Sequence, residues 1–363
     1  NDYYNLEAAT STFVSEGALV YPIARLILSD PNIGPRGFLP VGEAALIAGA
    51  RQFSFIPATR TCPACSPSLP KLSAQVVDTQ QTSTNYASTT TASINVAPGP
   101  AKNLQMLLPG TVNETPSEGS LAGKTGSPGP FTAGNQYQIT LRATDNYWNR
   151  TADNMQVGLV SNDLYASTPA WSTLIISAGE KVTTIPDAFI PRTATTTATW
   201  GPGLVLTLTD EQFFTLATAT ASGFTVNAKP FAKVMTLLPG ETHVPGKPPF
   251  DTGVTGGRNS PYPAVSTAVP AGAPMQFTVK AVDQFWNPVV VSSEVGMNSS
   301  DALASIPTPI LTLAGGVTAF TFTPVQIGNQ TVAAAVPGAF AIAASTSNAF
   351  SVVGSRLSIL AQG

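Results

Sequence analysis

The sequence predicts an all-β chain built as a tandem series of β-sandwich units. Three observations carry that reading: a composition poor in charge and rich in turn formers, an internal repeat, and a two-residue apolar alternation inside the repeat. Of 363 residues only 10% are charged, while 43% are hydrophobic and Pro and Gly number 32 and 30. Thr, Ser and Ala fill the balance, which suits short strands and frequent turns and not helical bundles, which draw on Glu, Lys and Leu. The length exceeds one ordinary core and suits two or three domains.

The repeat is read directly. Tyr137-Gln138-Ile139-Thr140-Leu141-Arg142-Ala143-Thr144-Asp145-Asn146-Tyr147-Trp148-Asn149 matches Met275-Gln276-Phe277-Thr278-Val279-Lys280-Ala281-Val282-Asp283-Gln284-Phe285-Trp286-Asn287 at a constant offset of 138. Ser161-Asn162-Asp163 and Ser299-Ser300-Asp301 continue the register. Tyr137, Ile139, Leu141 and Ala143 alternate with polar residues, as do Met275, Phe277, Val279 and Ala281, so each copy predicts a strand with one apolar face. The Asp-x-x-Trp-Asn end predicts a turn in which Asp and Asn bond backbone while the Trp covers one end of the core.

Leu-Leu-Pro-Gly precedes both copies, at 107–110 and 237–240, and short closing strands follow at Phe224-Thr225-Val226 and Phe350-Ser351-Val352. A third closing match, Ile94-Asn95-Val96, lies 47 residues beyond Gly49, just as Val226 lies 47 beyond Gly179. The pairing sets Gln52–Pro57 against Lys181–Pro186. Three units follow: an incomplete one at 1–97, then 98–227 and 228–354, with 355–363 left over. Turn signals every eight to twelve residues suggest an immunoglobulin-like sandwich with Greek-key connections. The runs Ser15–Leu28 and Val41–Gln52 are read as strand with irregular flanks and not as helices.

The units resemble the bacterial immunoglobulin-like repeats of surface proteins, of the invasin and intimin type. The likeness lies in Ala281-Val282-Asp283 followed by Trp286-Asn287-Pro288-Val289, with Trp where that family often has Gly. The first full unit departs from the pattern at Asn149-Arg150-Thr151. The resemblance implies a β-sandwich on a cell surface or filament and no catalytic residues.

A net charge of −3 offers no basic stripe for nucleic acid or anionic lipid. The chain begins at Asn1, as a processed or partial chain does, and Gly17–Leu28 is too short and interrupted to span a bilayer. Cys62 and Cys65 lack the His that a c-type haem would need after them, and the chain has one His to offer zinc. Pro63, Pro67 and Pro70 forbid the helix of a redox motif, which leaves a small loop disulfide in an oxidising compartment. His243 lies in the Pro- and Gly-rich loop Glu241–Pro263 and reads as a solvated residue. Asp145 with Asp163, and Asp283 with Asp301, recur at a spacing of 18. Two readings stand: turn capping, or Ca²⁺ held between domains with added carbonyls. No other cofactor is expected. Asn113, Asn149, Asn298 and Asn329 head N-glycosylation triplets, and Thr82–Thr91 and Thr193–Thr199 offer O-glycan sites.

The two ends are unequal. Asn1–Gly17 holds no counterpart of the repeat's opening strand, so the first unit is expected to leave an open edge. The tail Arg356-Leu357-Ser358-Ile359-Leu360-Ala361-Gln362 falls where earlier units place the opening strand of the next domain. That combination predicts donation of the tail to a neighbour's first unit, and a heterologous contact of this kind builds a fibre. The expected function is therefore a non-enzymatic subunit of an extracellular filament whose partners are copies of itself. The alternatives are a surface adhesin stalk or S-layer-type segment with glycan partners, and an accessory binding module of a secreted carbohydrate enzyme.

Overall fold

The computed structural model describes residues 23–28, 43–45, 57, 59–61, 71–78, 89–90, 92–113, 123–168, 174–185, 187–195, 203–213, 215–259, 268–339 and 341–354. Among them every regular element is a strand, so the chain is all-β. Cys62, Cys65, the Asn1–Gly17 segment and the tail Arg356–Gln362 lie outside the described residues, as do the expectations placed on them.

The described residues within 103–227 and 233–353 form two sandwiches of the same design. In the first, a four-stranded sheet runs in the order Ile175–Ile176, Met155–Ser161, Leu204–Asp210, Ala219–Phe224, all antiparallel. It faces a sheet of Glu180–Val182, Thr140–Thr144 and Asn103–Leu107. In the second, Ile310–Thr312, Glu294–Ser299, Val332–Ala335 and Ser345–Thr346 face Lys233–Leu237, Met275–Val282 and Val317–Phe322. Ahead of both, Glu43–Ala45, Ile23–Leu28, Ala74–Asp78 and Thr89–Thr90 pair in that same four-strand order. The runs containing residues 23–28 and 43–45 thus hold strands.

The alternating residues point where a period of two sends them. Ile139, Leu141 and Ala143 are buried in one core, and Phe277, Val279 and Ala281 in the other. Phe131 stacks on Tyr137 at 4.1 Å, and Phe277 on Phe320 at 5.6 Å. The opening strand Lys233–Leu237 is buried on both faces. Val234 and Leu238 enter the sandwich core, while Met235 and Leu237 join Val282 and Trp286 in a second cluster.

That second cluster corrects the expectation for the Trp. Trp286 does not cap the end of the sandwich core but lies in this separate cluster, where the loop after the opening strand packs onto it. Both Trp148 and Trp286 sit in the left-handed region, at φ 63 and 67. That conformation costs a residue with a Cβ roughly 1–2 kcal/mol. Here burial of the indole offsets the strain: its Nε1 donates to the Pro249 carbonyl, and the Lys233 ammonium lies 3.3 Å from the ring centroid.

Candidate functional site: the joints between units

The Asp-x-x-Trp-Asn turns are densely bonded polar elements, and both stand where one unit meets the next. Within each turn the Asp carboxylate accepts from the backbone that follows it. Asp145 Oδ1 accepts from Tyr147 N at 2.8 Å and Asn149 N at 3.0 Å. Asp283 Oδ1 accepts from Phe285 N at 2.8 Å and Asn287 N at 2.9 Å. The other oxygen holds the incoming linker, Gly99 N on Asp145 and Lys229 N on Asp283, each at 2.9 Å. The Asn side chain donates back to its Asp in both turns. Turn capping by Asp is thus visible at both positions, in the form that local Asx chemistry dictates.

The Asn also reaches across the joint. Asn287 Oδ1 accepts from Ala194 N at 2.7 Å, and its Nδ2 donates to the Arg192 carbonyl at 2.9 Å. Asn149 Oδ1 accepts from Arg60 N at 3.0 Å. Asp283 and Asn287 are both fully buried, so an unmet partner there would be costly. One side chain closes its own turn and grips the preceding unit.

The gripped backbone is prepared by the other Asp of each spacing pair. Asp163 Oδ2 accepts from Arg192 N and Thr193 N, and its Oδ1 from Thr193 Oγ1. Asp301 Oδ2 accepts from Val325 N and Gln326 N in the same manner. Burial alone would raise the Asp301 pKa, but the donated bonds from Val325, Gln326, Leu303 and Ala304 outweigh it and hold it below the usual value. Asp145 and Asp163 therefore do not meet. Asp145 serves the joint with the preceding unit and Asp163 the joint with the following one. None of the four carboxylates belongs to a cluster of three or more metal-ligating side chains among the described residues.

Sequence comparison missed the gripped segment, and a signal for it was present. Ile56-Pro57-Ala58-Thr59-Arg60-Thr61 and Ile190-Pro191-Arg192-Thr193-Ala194-Thr195 share an Ile-Pro-x-Thr-x-Thr pattern. In both, the last Thr amide donates to a Val carbonyl (Thr61 to Val96, Thr195 to Val226), and that Val's amide donates to the Thr hydroxyl. Pro57 therefore corresponds to Pro191, and the pairing with Pro186 is corrected.

Aromatic packing completes the second joint. Phe285 packs into the core cluster of the preceding sandwich, edge-on to Phe250 at 5.0 Å, with the Arg192 guanidinium 4.9 Å from its centroid. Gly134, at φ 76, makes room: a Cβ there would stand 2.0 Å from the Phe285 ring. At the first joint a cavity of about 320 Å³ lies beside Tyr147, lined in part by Pro57, Gly99, Asp145 and Asn149.

The remaining candidates find plainer places. Asn149 is 2% exposed and its amide nitrogen bonds Asp145, so a glycan is incompatible with the folded turn and that candidate is corrected. Asn298 and Asn329 are exposed, and Asn113 ends the strand Thr111–Asn113. Of the Thr193–Thr199 stretch, Thr193 is buried beneath the joint. His243 is not a solvated loop residue: Nε2 donates to the Trp286 carbonyl at 2.6 Å. Burial chiefly pushes its pKa down to about 4, against the Trp286 bond and with help from Lys280 and Arg258. Its loop is tied down by the buried Arg258–Glu241 pair and by Arg258 Nη1 donating to the Thr236 carbonyl. Burial likewise pushes Lys233 down to about 8, although Asp283 and Asp251 act to raise it.

No protein-family model matches the chain, and no curated protein does. Among solved structures it is similar to the D00-D0 domain of intimin, at 13% identity and TM-score 0.29, over 69% of this chain and 99% of that one. Domains 4 and 5 of the S-layer protein SbsC align over 70% of this chain and 100% of theirs, at 14% identity and TM-score 0.19. A β-glycosidase from Bacteroides vulgatus aligns at 11% identity and TM-score 0.26 over 70% of this chain, which spans 25% of the glycosidase. The all-β assignment rests on the sheets themselves and not on these likenesses.

Proposed function

We propose that this chain is a non-enzymatic structural segment of an extracellular or cell-surface protein, in which immunoglobulin-like units are held at set angles to one another. The carrying observation is the repeated joint, in which one buried Asn closes its turn and grips the preceding unit at both Arg60 and Ala194. A joint held by a fully satisfied, buried polar lock resists reorientation, which suits a stalk or lattice element. The low charge and the resemblance to bacterial surface repeats support an exterior location. The finer reading is a filament assembled by donation of Arg356–Gln362 to a neighbour's first unit, and it is supported by the sequence register of the tail.

Spin labels placed across each joint test the structural reading. Narrow distance distributions are expected in the native chain and broad ones in Asn149→Ala and Asn287→Ala. Antibody against the folded chain should label intact producing cells. Broad distributions in the native chain, or saturable turnover of a glycoside, would overturn the proposal.

A further inference from the structure

We propose that the far face of the third unit is a socket for a further unit of this repeat, received through an Asp-x-aromatic-Trp-Asn turn. The argument is the point-by-point match between that face and the one on which the third unit itself is seated. It is independent of where the protein works.

In the second unit the seat consists of Gly134, whose amide donates to the Pro191 carbonyl, and the segment Arg192–Ala194 held by Asp163. In the third unit Gly272 donates to the Pro324 carbonyl, and Val325–Ile327 follows, held by Asp301. Pro191, Arg192, Thr193 and Ala194 thus correspond to Pro324, Val325, Gln326 and Ile327. The two glycines share the left-handed conformation, at φ 76 and 82. What differs is occupancy. A Cβ on Gly134 would strike Phe285, whereas one on Gly272 would meet nothing within 4 Å.

The unmet groups are those the turn would satisfy. The Ala194 amide donates to Asn287, while the Ile327 amide has no acceptor among the described residues. Ala194 is 2% exposed beneath the third unit, but its counterpart Ile327 is 65% exposed, with Val325 at 44% and Val353 at 39% on the same face. An apolar patch around a free amide and an open glycine pocket fits an aromatic ring followed by an Asn carbonyl. The turns of this chain are already engaged, Asn149 on Arg60 and Asn287 on Ala194. A second copy would have to surrender one of them, so the occupant is a further repeat unit whose own turn is free.

The test reads amide hydrogen exchange at Ile327. In one arm, residues 354–363 are replaced by a second copy of 228–354, so that Val353 leads into Ala228 as Asn227 does. Exchange at Ile327 should slow by at least about tenfold, toward that of Ala194. Asn→Ala in the appended turn, or Gly272→Ala, should restore fast exchange at Ile327 and leave Ala194 protected. In a second arm the 363-residue chain carries Arg192→Val, Thr193→Gln and Ala194→Ile, which sets the socket sequence beneath Phe285 and Asn287 at an existing joint. Protection of the residue-194 amide should persist. Loss of that protection, or unchanged exchange at Ile327 in the extended chain, overturns the proposal. Protection of Ile327 that grows with concentration in the 363-residue chain would assign the socket to a second copy and equally overturn it.

Discussion

A pair of identical substitutions in two glycines separates the cost of backbone strain from the cost of losing a joint. Gly134 and Gly272 both adopt left-handed φ, so Ala at either position costs roughly 1–2 kcal/mol in strain. At Gly272 nothing else is disturbed, because the new methyl meets open space. At Gly134 the methyl would lie 2.0 Å from the Phe285 ring, well inside the ~3.5 Å of ordinary carbon contact, and the ring must leave. Its burial is worth about 1.5–3 kcal/mol. The edge-on contact with Phe250 adds about 0.5–1.5 kcal/mol, and the Arg192 cation–π contact about 0.5–1 kcal/mol. Partial relaxation of the ring keeps part of this, leaving an extra cost of about 2–4 kcal/mol for Gly134→Ala. Because the loss falls on docking, it should appear as faster exchange of the Ala194 amide, by about 30-fold to several hundred-fold. Gly272→Ala should leave Ala194 unchanged. Equal effects of the two variants on Ala194 would refute the assignment of Phe285 as the joint's anchor.

Two further outcomes can be measured, one drawn from the structure and one from the sequence register of the tail. His243 is held neutral in the fold at a pKa of about 4, below its unfolded value near 6.5, so the unfolded chain binds more protons between them. Stability should be fully present above about 6.5 and fall by up to roughly 3 kcal/mol as pH drops toward 4. His243→Gln keeps a donor for the Trp286 carbonyl and should flatten that part of a denaturant-midpoint profile; an unchanged slope would count against the burial argument. Deleting residues 355–363 should abolish self-assembly and lower the stability of the first unit, and a peptide of the tail sequence should restore it. Normal polymerisation of the truncated chain, followed by electron microscopy, would end the strand-donation reading.

Strand identity was legible in the sequence because a period of two needs only local information. Tyr137–Ala143 and Met275–Ala281 show it without reference to any neighbour. Asp145 and Asp283 as turn caps were legible for the same reason: an Asx turn is made within a few residues. What was not legible depends on tertiary partners. Nothing in Trp286 announces a left-handed φ, which is sustained by a loop more than twenty residues upstream. His243 reads as solvated until that loop is seen packed against the Trp286 carbonyl. The Ile-Pro-x-Thr-x-Thr segment was hidden by variable loop lengths, since its copies are 134 apart while the turns are 138 apart. A comparison at one fixed offset passes over it. The cross-joint role of Asn149 and Asn287 has no local signature, because their partners, Arg60 and Ala194, lie 89 and 93 residues away.

The two joints share a lock but not a filling, and that difference predicts the order in which they open. Each lock couples folding of a turn to docking of its unit, since the Asn that caps Asp is the one that grips the neighbour. The units should therefore behave as a linear array with nearest-neighbour coupling. At the second joint Phe285 is 5% exposed and sits within the neighbour's core cluster, adding apolar burial to the hydrogen bonds. At the first, the corresponding Tyr147 is half-buried and borders the cavity of about 320 Å³. A ring that borders an open pocket makes fewer packing contacts than one seated in a core. With the Asn Oδ1 bond common to both, the first joint should open more readily, and the Arg60 amide should exchange faster than that of Ala194. Asn149→Ala should then cost less in docking than Asn287→Ala, read as the change in exchange at Arg60 and Ala194 respectively. Slower exchange at Arg60 than at Ala194 in the native chain would show that the aromatic filling does not set the strength of the joint.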